Sequence, residues 1–165
     1  MFVRQKVRTC LWFDHEAEEA ANFYVSLFPD SRILDIARNG EAGPGKAGSV
    51  LMATFELAGA QFLALNGGPL FKFTEAISLS VDCADQTEVD HLWEKLGAGG
   101  VYSRCGWLKD RYGLSWQIVP ARLPALIVGP DRAGAKRAIE AMFQMGKLDI
   151  AALESAYAGQ TQPLG

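Results

Sequence analysis

Residues 105–120 read CGWLKDRYGLSWQIVP. Two segments of strand character, "CGWLKD" (105–110) and "LSWQIVP" (114–120), flank a short charged break. Asp110 and Gly113 carry turn chemistry: a short polar side chain that can bind nearby backbone, and a residue free to adopt positive φ. The Lys-Asp-Arg run is expected as a solvated turn. Side chains alternate faces along a strand, so Trp116 and Gln117 must part company. If Gln117 faces a ligand, Trp116 faces the core. An amide on a strand otherwise aromatic and aliphatic therefore needs a reason.

Reading outward from this stretch, the same order of elements occurs twice. Upstream lie a strand at "AISLSVDC" (76–83), a helix at "DQTEVDHLWEKLGA" (85–98) and a short strand at "GGVYSR" (99–104). The helix has an apolar stripe of Val89, Leu92, Trp93 and Leu96. In the first half, "KVRTCLWF" (6–13) reads as a strand and "EAEEAANFYVSLF" (16–28) as a helix, with Asp14 as the expected N-cap. "SRILDIAR" (31–38) follows as a strand, and "SVLMATFEL" (49–57) with "AQFLALN" (60–66) as a hairpin. The glycine-rich "NGEAGPGKAG" (39–48) between them reads as a flexible connection. Both halves are β-α-β-β-β. A shift of 69 positions lays Phe23-Tyr24 on Leu92-Trp93, and a shift of 54 lays Gly59 on Gly113 and Phe62 on Trp116. The plan is a first module at 1–66, a linker at 67–75, a second module at 76–123 and a helical C-terminal extension at 124–165. The extension reads as two helices broken near Gly146-Lys147-Leu148, the second capped by Asp149.

Composition excludes several function classes. The 165 residues, 49% of them apolar, suffice for a buried core without a disulfide or metal staple. A net charge of −3 with scattered basic residues argues against nucleic acid and against a basic membrane patch. No segment reaches the ~20 apolar residues of a membrane span. Cys10, Cys83 and Cys105 lack CxxC spacing, which suits reduced thiols and a cytoplasmic location.

The strings "CLWFDHEAEEAANFYVSLFPDSRI", "FLALNGGPLFKFTEAISLSV", "CGWLKDRYGLSWQIVP" and "KLDIAALESAY" closely resemble the PhnB-like family. That family is labelled 3-demethylubiquinone-9 3-methyltransferase and falls within the glyoxalase/bleomycin-resistance, or vicinal-oxygen-chelate, superfamily. The resemblance implies an α+β fold: two tandem βαβββ modules forming curved sheets around a cleft, with a helical C-terminal extension, paired as a homodimer. Metal-using relatives set one ligand on the first and one on the last strand of each module, where a divalent ion polarises vicinal substrate oxygens. Their last strand often reads Asp-Pro-x-Gly-x-x-x-Glu, and here Gln117 takes the carboxylate position. The repeat mate of Gln117 is Leu63. Counting back from Phe23 points to Thr9, which the repeat maps to Ser78. Two hydroxyls, one amide and an aliphatic chain give a divalent ion no charge compensation, so no metal is expected.

Other motifs have plainer readings. "GPGKAG" (43–48) matches GxGxxG, but a strand follows it where a nucleotide-binding loop needs a helix. With no Rossmann-type module, SAM is not expected either. His15 and His91 read as surface residues and Cys105 as an inert thiol. "NGGP" (66–69) is a turn, or else it presents Asn66 to a ligand. The expected binding set is thus Thr9, Leu63, Asn66, Ser78 and Gln117, a hydroxyl-lined surface over an apolar floor. It suits a small organic ligand, bound either without chemistry or by an enzyme. The alternatives are the methyl transfer of the family label, a metal-dependent lyase, isomerase or dioxygenase, and a module sequestering a drug or metabolite.

Overall fold

The computed structural model describes residues 2–160. It divides into two compact units that meet in sequence at Phe73 and Thr74. In the first unit, β1 (Thr9–Phe13) leads to α1 (Ala17–Leu27), then β2 (Arg32–Arg38), β3 (Val50–Leu57) and β4 (Ala60–Asn66). The sheet order is β1-β4-β3-β2, with β1 parallel to β4 and the other pairings antiparallel. Ala17, Ala20, Ala21 and Tyr24 form the fully buried face of α1, beside Leu11, Phe13, Ala53, Phe55 and Ala64 of the strands, while Phe28 just past its end is only partly buried. The three alanines let helix and sheet approach closely, and Tyr24 fills the space left beside Phe55.

The second unit repeats the order: β5 (Ser78–Cys83), α2 (Gln86–Gly97), β6 (Val101–Tyr102), β7 (Trp107–Lys109) and β8 (Ser115–Pro120), in a sheet ordered β5-β8-β7-β6. Asp85 caps α2 by accepting from the Glu88 N–H at 2.9 Å, while Glu88 reaches back to the Ala84 N–H. Val89, Leu92 and Leu96 of α2 are buried with Leu108, Trp116 and Ile118. Three further helices complete this unit: α3 (Leu123–Ile127), α4 (Arg132–Met142) and α5 (Ile150–Ala158), the last capped by Asp149. The sequence shows no separate signal for α3. These helices pack around Leu123, Leu126, Ala138, Leu148 and Leu153. They are tied to the sheet by backbone bonds from Cys105 and Gly106 to the carbonyls of Met145 and Gly146.

One expectation is corrected here. The sheets do not curve around a cleft: each is an open sheet of four strands, with β1 and β2, or β5 and β6, as its free edges. Bulges are the usual means of bending a sheet. In the first sheet the register shifts occur between β2 and β3, while the β1–β4 and β3–β4 ladders run in unbroken register.

The turn at 110–113 is also more than a solvated break. Asp110 is 2% exposed. One carboxylate oxygen accepts from the N–H groups of Tyr112 and Leu114 at 2.9 and 3.1 Å, and the other from the Trp116 indole N–H at 2.9 Å. Gly113, at φ +85°, closes the turn by donating its N–H to the Asp110 carbonyl. Replacing Asp110 by Ala would remove the acceptor of two buried donors and one part-buried donor. We expect Asp110→Ala to lower unfolding free energy by about 3 kcal/mol in urea titrations followed by tryptophan fluorescence; a loss below about 1 kcal/mol would contradict this account.

Candidate functional site

In the second unit, strand register assembles one polar surface. Ser78 pairs with Ser115, Ser115 with Lys109, and Lys109 with Val101, forming one row across the sheet. Ser80, Gln117 and Trp107 form the row beside it. Directly paired residues share a face, and this face is opposite the one where Trp116, Leu108 and Ile118 are buried. Gln117 is half-buried and its Nε2 donates to Ser78 Oγ at 2.9 Å. Ser115 is 1% exposed, and its Oγ has no hydrogen-bond partner among the described residues. It lines a pocket of about 230 Å³ with Glu75, Val101, Tyr102, Ser103, Trp107, Leu108 and Lys109. Lys109 Nζ forms an ion pair with Glu75 at the pocket edge. The hydrogen bond from Lys109 holds the Glu75 carboxyl below its usual range.

In the first unit the expected residues separate. Leu63 pairs with Cys10 and Thr54, whereas Thr9 pairs with Phe62 and shares its face with buried Leu11 and Phe13. Thr9 and Leu63 therefore lie on opposite faces. The cause is a single residue in a connection. Asp14, His15 and Glu16 join β1 to α1, but only Ala84 and Asp85 join β5 to α2. A shift counted from the helix is thus one residue out in the strand, and Cys10 is the true counterpart of Ser80.

Asn66 ends β4 and ties elements together. Its Oδ1 accepts from the Ala17 N–H at 2.8 Å and its Nδ2 donates to the Val50 carbonyl at 3.0 Å. The N-cap of α1 is Glu16, which makes no side-chain cap bond, so Asn66 satisfies a helix-end donor that the local sequence leaves open. Asn66 also lines a pocket of about 750 Å³ with Trp12, Leu51 and Leu65, and with Asp14, His15, Glu18 and Arg38 on its polar side. One wall is the glycine-rich loop, which Asn39 organises. Its Nδ2 donates to Ser49 Oγ at 3.0 Å, and its Oδ1 accepts from the Gly45 N–H at 3.4 Å. The loop expected as a flexible connection is thus pinned by an asparagine at its mouth and a serine at its end. The NGGP turn packs under Trp12, where a Cβ on Gly67 would stand 2.3 Å from the ring, and the indole N–H binds the Gly68 carbonyl.

A family model described as 3-demethylubiquinone-9 3-methyltransferase matches residues 5–119. The chain belongs to this PhnB-like family. A PhnB protein from Bacillus cereus is 43% identical, with a TM-score of 0.64 over 68% of this chain and 97% of that one. A Pseudomonas aeruginosa protein at 18% identity shares the fold, with a TM-score of 0.57 over 68% of this chain and 95% of its own. No curated protein matches. Helices α3 to α5 lie beyond the residues that the family model matches.

The divalent ion used by metal-dependent members of the superfamily does not fit the PhnB-like positions of this chain. Gln117 and Ser78 are neutral donors already bonded to each other, and Leu63 offers no donor at all. Among the described residues no group of three or more His, Cys, Asp or Glu is placed to hold a metal. The glycines of the 43–48 loop lie between β2 and β3, so no helix N-terminus meets a nucleotide there. Two of the thiols are quiet: burial, followed by the charges of Glu88 and Asp82, pushes Cys83 up to about 12, and burial raises Cys10. His15 and His91 are exposed, as expected. Asn66→Ala is expected to cost about 1–2 kcal/mol in chemical denaturation, through the uncapped α1 end and the freed Val50 carbonyl. An unchanged midpoint would show that these two bonds do not stabilise the fold.

Proposed function

We propose that this PhnB-like chain binds a small polar organic molecule on the Gln117 face of its second unit, by hydrogen bonds and without a resident metal. The observation that carries this reading is the Gln117–Ser78 hydrogen bond. It orients an amide and a hydroxyl on a face flanked by Trp107. By valence, the bond leaves the amide oxygen, one amide N–H and the serine O–H for a ligand. An amide that is fixed before binding loses less freedom when the ligand arrives. Asn66 belongs to a second reading, favoured by the 750 Å³ of the first unit's pocket. That volume lies in the range of ordinary ligand sites, and a ligand's apolar body would rest there against Trp12 and Leu65. Thr9 and Leu63 enter neither reading.

Pairing as a homodimer is part of the proposal. It is supported by exposed Leu70 and Phe71 in the first unit and by exposed Ile77, Val101 and Tyr102 in the second. A cytoplasmic location is supported by the free cysteines. No helix of the described residues is long and apolar enough to cross a membrane.

A thermal-shift screen of small polar organic molecules, followed by calorimetry, tests the site. Gln117→Ala is expected to weaken binding about 10-fold, the equivalent of about 1.4 kcal/mol. Binding that survives Gln117→Ala but falls with Trp12→Ala would favour the first unit's pocket. Saturating SAM is expected to leave Tm unchanged; a rise of several degrees would favour the methyl transfer of the family description.

A further inference from the structure

We infer that the second unit carries a site for a small organic carboxylate, with Lys109 as its cation, the Ser115 hydroxyl as its floor, and Glu75 as a resident carboxylate that the ligand displaces. This rests on the reading of that face as ligand-binding and names the class of ligand. Three observations meet in one place. Buried hydroxyls without a partner are rare in folded proteins, and Ser115 Oγ is one among the described residues. Ser115 is a lining residue of the 230 Å³ pocket, with the hydroxyl itself buried at that lining. Strand pairing then sets Lys109 beside Ser115 on the same face. The charged residues lining the pocket are Lys109 and Glu75.

Glu75 behaves as an internal stand-in. It lies just before β5, and 62% of its side chain is exposed, against 37% for Lys109. An exposed ion pair contributes little to stability, so one carboxylate can replace another on Lys109 at small cost. The incoming group would gain what Glu75 lacks, a hydrogen bond from the Ser115 hydroxyl. Bonds to an ionised acceptor are stronger than neutral ones. A single lysine matches a single negative charge better than a phosphate dianion. Trp107 and Tyr102 supply flat apolar walls for the body of the ligand.

Benzoate and its uncharged analogue benzamide are suitable probes, titrated by calorimetry against the full-length protein. Benzoate is expected to bind at least about 10-fold tighter than benzamide. Lys109→Met and Ser115→Ala should each weaken benzoate by about 10-fold, and Glu75→Gln should tighten it by removing the competitor. Ser115→Ala also deletes a buried hydroxyl without a partner, so in the absence of ligand its Tm should be equal or higher. A fall in that Tm would show that the hydroxyl is already satisfied within the protein and would overturn the inference. Equal binding of benzoate by wild type and Lys109→Met would overturn it as well. If benzoate fails while neutral molecules bind in a Gln117-dependent way, the carboxylate inference falls and the wider reading stands. If neither binds, both fall.

Discussion

The second unit depends on one buried carboxylate. Asp110 gathers two backbone N–H groups of its own turn and the indole N–H of Trp116. A charge buried to this degree is tolerable only with such a set of donors. The donors fix the turn, and the turn fixes the register of β8 against β7. With Trp116 drawn inward, Gln117 has only the opposite face to occupy. Because strand side chains alternate, a slip of one residue would exchange the indole and the amide. It would bury the amide where Leu108 and Ile118 pack. The polar rows of Ser78, Ser115 and Lys109, and of Ser80, Gln117 and Trp107, therefore follow from a carboxylate that faces away from any ligand.

Much of this was legible before the structure. The paired βαβββ order, the opposition of Trp116 and Gln117 and the stripe along α2 all rest on periodicity, which sequence carries directly. What sequence carried poorly was anything that depends on one residue in a loop. The three-residue β1–α1 connection against the two-residue β5–α2 connection displaced the repeat and put Thr9 where Cys10 stands. Long-range partners were equally silent. Asn66 caps a helix that begins 49 positions earlier in the chain, and no local pattern announces that. Ser115 belongs to no motif, and its distinction among the described residues is a missing hydrogen bond that only packing reveals. Curved sheets are what the resemblance implies, and the open strand orders correct that.

The two units show how one topology is given different chemistry. Leu63 and Gln117 occupy the same place in their sheets, each on the last strand and opposite the matching residue of the first, Cys10 or Ser80. Thr54 stands where Trp107 stands. At these three positions an aliphatic chain, a thiol and a hydroxyl in the first unit are answered by an amide, a hydroxyl and an indole in the second. The first unit's pocket lies at the strand ends, where Asn39, Asn66 and the β1–α1 connection meet. Family membership therefore fixes the scaffold, while the donors on each face decide what can be bound.

The helices beyond the family match also bear on the site, although they contribute no residue to its pocket. Cys105 and Gly106 have φ of +56° and +81°, a conformation costly for a residue with a side chain. Their N–H groups bind the Met145 and Gly146 carbonyls, and Gly106 has no room for a Cβ between the Ile118 carbonyl and Leu148. Gln86 adds a second fastening, donating to the Leu148 carbonyl and accepting from the Ile150 N–H. These contacts fasten the entry to β7, and β7 carries both Trp107 and Lys109. A short strand of three residues has few ladder bonds of its own to set its direction. The extension supplies that constraint from behind, and the aim of the lysine and the indole depends on it.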